Sequence, residues 1–337
     1  MSYRRRWASG LVCILMVAGA WRASAGSIVG DAQPLDGDPL PEGMCKNAAG
    51  RLFFHSQGRL LWGTRPSWDD SVPVDFPTNV LRSIVVSEGT SALRQNDGQL
   101  SGTSLVGSLL MGEDSDGLPV KVVVCGSDSE ADPGTNWTLI EAWNPLSNSW
   151  ENPCVATPEV PNPRALLLSG TWDSTGAHHD DDGKVAVACE TGALAKCVTW
   201  GYRPWGVNYQ GRPLDQAHQS CTRMARADYC GDGVSHTTEG NVIDHYDLLG
   251  VVELDSVASR AAGERFEAAW GPDGAGCFTR LRDGHSVEEV LSYECPGRFQ
   301  KRQYNVSLQY NDQCLYHVDP WSQLYLDLRN RTITSKP

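Results

Sequence analysis

The chain has 337 residues, 40% of them hydrophobic, and a formal net charge of −13, enough length and apolar content for one large domain or two small ones. Acidity on this scale repels phosphate backbones and anionic lipid surfaces, so neither nucleic acid nor a membrane is an expected partner.

Read from the start, Arg4, Arg5 and Arg6 precede a short apolar stretch, Gly10 to Ala20, and then Ala23-Ser24-Ala25. A positive start, a short apolar centre and a small-x-small exit together predict a secretory signal peptide over residues 1–25, cleaved after about Ala25. The apolar run is too short to span a bilayer comfortably, and Cys13 lacks the small residues of a lipid-attachment box. Cleavage removes four arginines and no acid, moving the net charge from −13 to −17. Residues 26–42 are polar, acidic and spotted with proline, and read as a disordered leader. A single globular domain is expected over 43–337, in an extracellular or periplasmic compartment.

Short apolar runs bounded by Gly, Pro, Asn and Asp follow: Arg51–Gly63, Val80–Ser87, Leu118–Cys125, Trp137–Trp143 and Lys184–Cys189. Their length and their Val, Ile, Leu and Trp content predict strands. Glu113 to Gly117 reads as an acidic hairpin turn, and His178 to Gly183 as a solvated acidic turn between strands. Counted from His178, the twelfth residue is Cys189 rather than the Glu of a calcium-binding loop. No metal ligand set and no cofactor is assigned.

One prominent helix is expected at about 213–229. Pro213 opens it, Asp215 suits its first turn and Gly231 follows its end. Leu214, Ala217, Cys221, Met224 and Ala225 form its apolar stripe, with Arg223 and Arg226 pointing away. Asp228 falls on the same stripe, where an acid is costly unless paired. The fold class is therefore α+β, mainly antiparallel sheet with this one helix, stapled by disulfides.

Without Cys13, ten cysteines remain: Cys45, Cys125, Cys154, Cys189, Cys197, Cys221, Cys230, Cys277, Cys295 and Cys314. An even number in an exported chain reads as up to five disulfides. Nine residues of helix separate two points by about 13 Å, too far for a bridge, so Cys221 and Cys230 are expected to bond different partners.

Cys221 to Gly233 reads CTRMARADYCGDG, preceded by Ala188–Pro204 with Trp205 and followed by Ser235-His236-Thr237, Phe266–Trp270 and Gly274–Cys277. This pattern resembles the ADYC-domain family of exported bacterial proteins over roughly residues 89–295, the name being the tetrad Ala227-Asp228-Tyr229-Cys230. The resemblance implies secretion and a shared cysteine framework, and it carries over neither an activity nor catalytic residues.

Three functions remain in view. The leading one is a non-enzymatic secreted or cell-surface domain that binds an extracellular protein or polysaccharide, or serves a structural role. The second is a hydrolase in which Asp228, His236 and Asp244, close in sequence, form an acid–histidine–acid constellation for acid–base work. The bland alternative for Asp228 is that it accepts amides of the Gly231-Asp232-Gly233 loop or pairs with Arg226 or a distant arginine. The third is a carbohydrate-binding module with an exposed row among the twelve tryptophans, such as Trp172, Trp200, Trp205 and Trp270, against core filling as the alternative. No G-x-S-x-G elbow, H-E-x-x-H helix or P-loop is present.

Overall fold

The computed structural model describes Cys45, the strands that lie within 76–128, Thr135 and most of 137–332. The expected signal peptide, the leader and the run Arg51–Gly63 lie outside the described residues.

Alternating and β-branched runs fold into two antiparallel sheets. The first takes its strands from β1 (Phe76–Leu81), β4 (Leu109–Glu113), β5 (Pro119–Asp128), β6 (Trp137–Asn144), β7 (Ser149–Glu151), β8 (Ala165–Ser169) and β11 (Val185–Cys189). Its order is β1-β11-β8-β6-β5-β4, with β7 added to β6. β2 (Ile84–Ser87) pairs with β3 (Thr90–Leu93), and β9 (Thr171–Trp172) with β10 (His178–His179). Glu113 of β4 stands opposite Pro119 of β5; the acidic segment between them lies outside the described residues.

The second sheet comes from the C-terminal part, β12 (Ile243–Asp247), β13 (Arg265–Gly271), β14 (Gly274–Phe278), β15 (Phe299–Ser307), β16 (Asp312–Val318) and β17 (Leu328–Thr332), in the order β12-β17-β13-β14-β16-β15.

Among the described residues, three short helices stand where a single prominent one was expected: α1 (Ala193–Thr199), α2 (Asp215–Arg226) and α3 (Val287–Tyr293). α1 packs its Leu194, Ala195 and Val198 with Leu166, Leu168 and Ala186 of the first sheet. α2 packs Ala217, Cys221 and Met224 with Ala268, Trp270 and Phe278 of the second. The disulfide Cys197–Cys221 fastens the two helices to each other. A helix pair thus links the two sheets, and the apolar stripe read from the sequence is the seam.

α2 ends at Arg226, three residues earlier than expected, because Ala227 turns left-handed at φ 55°. Its N–H donates to Met224 O and that of Asp228 to Arg223 O, the paired bonds of a Schellman stop, here on alanine instead of glycine. Arg223 and Arg226 do not point to solvent: every residue from Ala217 to Arg226 is buried, since α1 and the second sheet enclose the helix.

The other disulfides are Cys45–Cys125, Cys154–Cys189, Cys230–Cys295 and Cys277–Cys314. Cys221 and Cys230 do bond different partners. Five bridges, each worth about 2–4 kcal/mol, mark a chain of an oxidising, non-cytoplasmic compartment. Among the described residues no helix is long and apolar enough to cross a membrane.

Candidate functional site

Past the left-handed stop at Ala227, the chain faces a shortage of polar partners, because it turns inside the protein. Asp228 is fully buried and resolves that shortage. Its Oδ1 accepts the N–H of Gly231 at 2.8 Å and of Asp232 at 3.2 Å, and its Oδ2 that of Gly233 at 3.2 Å. Oδ2 also pairs with the buried Arg223 guanidinium. Burial pushes the Asp228 carboxyl above its ordinary pKa, against the pull of Arg223 and Arg226. Asp228 therefore lies beyond α2 and not on its stripe, and its lone pairs are spent on the loop. The loop itself is tight: a Cβ on Gly231, at φ +72°, would stand 2.0 Å from Asp273 O.

The rest of the tetrad reaches further. Tyr229 Oη donates to Glu267 Oε1 at 3.0 Å and accepts the Arg282 N–H at 2.9 Å. Glu267 sits at a bulge in β13, between Phe266 and Ala268, and grips Arg282 through both oxygens, at 2.9 and 3.1 Å. Both residues are fully buried. Arg282 also donates to Met224 O at 2.7 Å and Ala225 O at 3.0 Å, capping the end of α2 with a cation. Cys230 is bridged to Cys295, just past α3.

These ties bring together a second cluster. His236 is held by its N–H on Arg226 O at 3.0 Å, and its ring lies 5.7 Å from that of Tyr229. Its Nδ1 is 2.8 Å from Asp283 Oδ2, and its Nε2 2.8 Å from Glu294 Oε2. The same Asp283 oxygen lies 2.9 Å from Nδ1 of His285, whose own N–H bonds Asp283 Oδ1 at 3.0 Å. Burial draws the His236 pKa down, but the bonds to Asp283 and Glu294 outweigh it and hold it above the ordinary value. Burial raises that of Asp283, yet the imidazoles beside it leave it below the usual carboxylate range.

The cluster opens on a cleft of about 390 Å³ between the 234–236 segment and α3. Val234 and Tyr293 at its rim are exposed, Tyr293 at 81%. Buried charge below and exposed apolar edges above give the cleft both an anchor and a surface.

The structure does not assemble the constellation read from the sequence. His236 bonds Asp283 and Glu294, not Asp228 or Asp244. Asp244 lies on β12 opposite Arg331 of β17. The acid–histidine–acid arrangement exists, with acids 47 and 58 residues away from the histidine. Local spacing carries no trace of either; the one hint is that Glu294 precedes a cysteine. Of the described tryptophans, Trp137, Trp172 and Trp270 are buried and Trp143, Trp150, Trp200 and Trp205 half-buried; none is exposed. His178 and His179 form β10 rather than a turn, with His179 Nε2 2.7 Å from Asp173.

The ADYC domain model matches residues 102–284, more than half of the chain and within the span expected from the motifs. The match takes in Asp228, His236 and Asp283. No curated protein and no solved structure matches the chain.

Proposed function

The chain belongs to the ADYC-domain family, and from that premise we propose that it is an exported, non-catalytic binding domain whose tetrad frames the His236 cleft. The observation that carries this is a division of labour. Three polar groups of the cleft, Asp283, Glu294 and His236, are fastened to the tetrad region. Asp283 follows Arg282, which Tyr229 and the end of α2 hold. Glu294 precedes Cys295, which Cys230 bridges. His236 hangs from the Arg226 carbonyl, one residue before the tetrad. Asp228 keeps the loop closed. A catalytic carboxylate must reach substrate, whereas Asp228 is sealed and fully bonded.

The N-terminal signal pattern and the disulfide framework support the export part of this reading. The mature charge of −17 and the exposed rim favour an extracellular protein or polysaccharide over nucleic acid or membrane.

The rival is a hydrolase using His236. To separate them, the oxidised mature protein is incubated with chromogenic ester, phosphoester and glycoside substrates and with a fluorogenic protein substrate. Turnover equal to that of His236→Gln is expected. Turnover that disappears in His236→Gln overturns the non-catalytic reading.

A further inference from the structure

The cleft holds three metal-type donors that the proposed binding role leaves unspecified. His236, Asp283 and His285 each offer one ligand atom, all within 4.8 Å of one another. We propose that the cleft binds one divalent transition-metal ion of the zinc type, through the two imidazoles and the Asp283 carboxylate, with Glu294 as the outer partner of His236. This rests on reading the cleft as the binding site and names what it takes.

The donor chemistry selects the metal class. Two imidazole nitrogens and one carboxylate suit Zn²⁺ and its neighbours; Mg²⁺ and Ca²⁺ prefer oxygen alone. The two Nδ1 atoms now converge on a single Asp283 oxygen, at 2.8 and 2.9 Å. In a tetrahedral zinc site with ligands at about 2.0–2.1 Å, neighbouring donors stand about 3.3 Å apart, so the cluster must open by about half an ångström. His285, 70% exposed on a loop, is free to make that movement, whereas His236 and Asp283 are nearly buried. Zinc binding requires both Nδ1 lone pairs, so any proton held between an Nδ1 and the carboxylate leaves to solvent as the metal enters.

Glu294 supplies what a built site has and an accidental one lacks. By accepting Nε2–H of His236 at 2.8 Å it fixes the ring and leaves Nδ1 for the metal, the carboxylate–histidine–metal arrangement of natural sites. Three protein ligands leave a fourth position that opens to the cleft, where a ligand group can join. Among the described residues, the other donor clusters, Cys45 with Cys125 and Glu141, and Cys230 with Asp232 and Glu294, have their sulfurs in disulfides and cannot serve as thiolates. Sequence spacing did not reveal the set, since His236 and His285 are far apart in the chain.

The test is calorimetric titration of untagged, oxidised, chelator-stripped mature protein with ZnCl₂, with CaCl₂ as comparison. One zinc per chain is expected, and no comparable calcium binding. Affinity should fall at least tenfold in His285→Ala, whose exposed side chain can be removed without harming the fold, and by about 10–100-fold in Glu294→Gln, the range for lost outer partners. His179→Ala, at the separate surface pair with Asp173, should bind as the parent does. Circular dichroism establishes that each variant is folded. No zinc binding, or binding that His285→Ala leaves unchanged, overturns the proposal. Zinc binding with His236-dependent turnover would sustain it and overturn the non-catalytic reading; neither zinc nor turnover would do the reverse.

Discussion

At Asp228 and at His236, eight residues apart, the chain buries charge at the same end of α2, but it closes one cluster and leaves the other open. Asp228 is met by three backbone amides and a buried guanidinium. His236 is met by two carboxylates that border a cleft, one of them on Glu294, whose side chain is 24% exposed. The first arrangement satisfies every lone pair with protein and has nothing to offer a ligand. The second is satisfied only as long as protons, or a cation, lie between acid and imidazole. Burial alone therefore does not mark a site; what matters is whether the protein itself completes the bonding.

The comparison breaks most easily at Asp228. Asp228→Asn leaves the Arg223 cation buried without its counter-charge and should lower stability by about 3–5 kcal/mol in urea unfolding. A loss below about 1 kcal/mol would show that the closed cluster is not structural. Gly231→Ala attacks the same loop through its backbone. Left-handed strain and the contact with Asp273 O together should cost about 3 kcal/mol, read as a lowered urea midpoint.

His218 sharpens the comparison, because it is a buried histidine whose ring bonds a backbone carbonyl, Leu194 O, at 3.0 Å. Burial pushes its pKa down to about 4, against the bond to Leu194 O, whereas His236 is raised. A depressed folded-state pKa means that the unfolded chain binds the proton first. The stabilisation is present above about pH 6.5 and is lost as pH falls towards 4, by about 3 kcal/mol in all. Unfolding curves across that window should be flatter by this amount in His218→Gln. The smallest effect is expected at the open cluster, where Glu294→Gln removes the charge of a partly exposed partner and should cost under about 1 kcal/mol.

Much of this was legible in the sequence, and the failures are instructive. The strand runs from Val80 onward, the pairing of β4 with β5 and the apolar stripe of α2 follow from period and residue type. The separate pairing of Cys221 and Cys230 was legible as well, though the helix stops at Arg226, short of Cys230. The stop was missed because it is made by Ala227 in a conformation normally left to glycine. Arg223 and Arg226 were placed outside because a helix read alone has an outer face; here α1 and the second sheet cover it. Asp228 stood out as an acid with no local reason to be buried, and its loop amides were among the partners foreseen. The partners of His236 were not, since Asp283 and Glu294 reach it only through the Arg282 anchor and the Cys230–Cys295 bridge. Local sequence identifies a residue that needs a partner; tertiary ties decide which one it meets.

The most direct test is the ¹⁵N NMR of the His236 ring in the metal-free oxidised protein, compared among the parent, Asp283→Asn, Glu294→Gln and Asp228→Asn. If the two clusters are separate, the His236 nitrogens should shift with Asp283→Asn at Nδ1 and with Glu294→Gln at Nε2, while a folded Asp228→Asn leaves both in place. Ring nitrogens that follow Asp228 and ignore the cleft acids would contradict the account and return Asp228 and His236 to a single site.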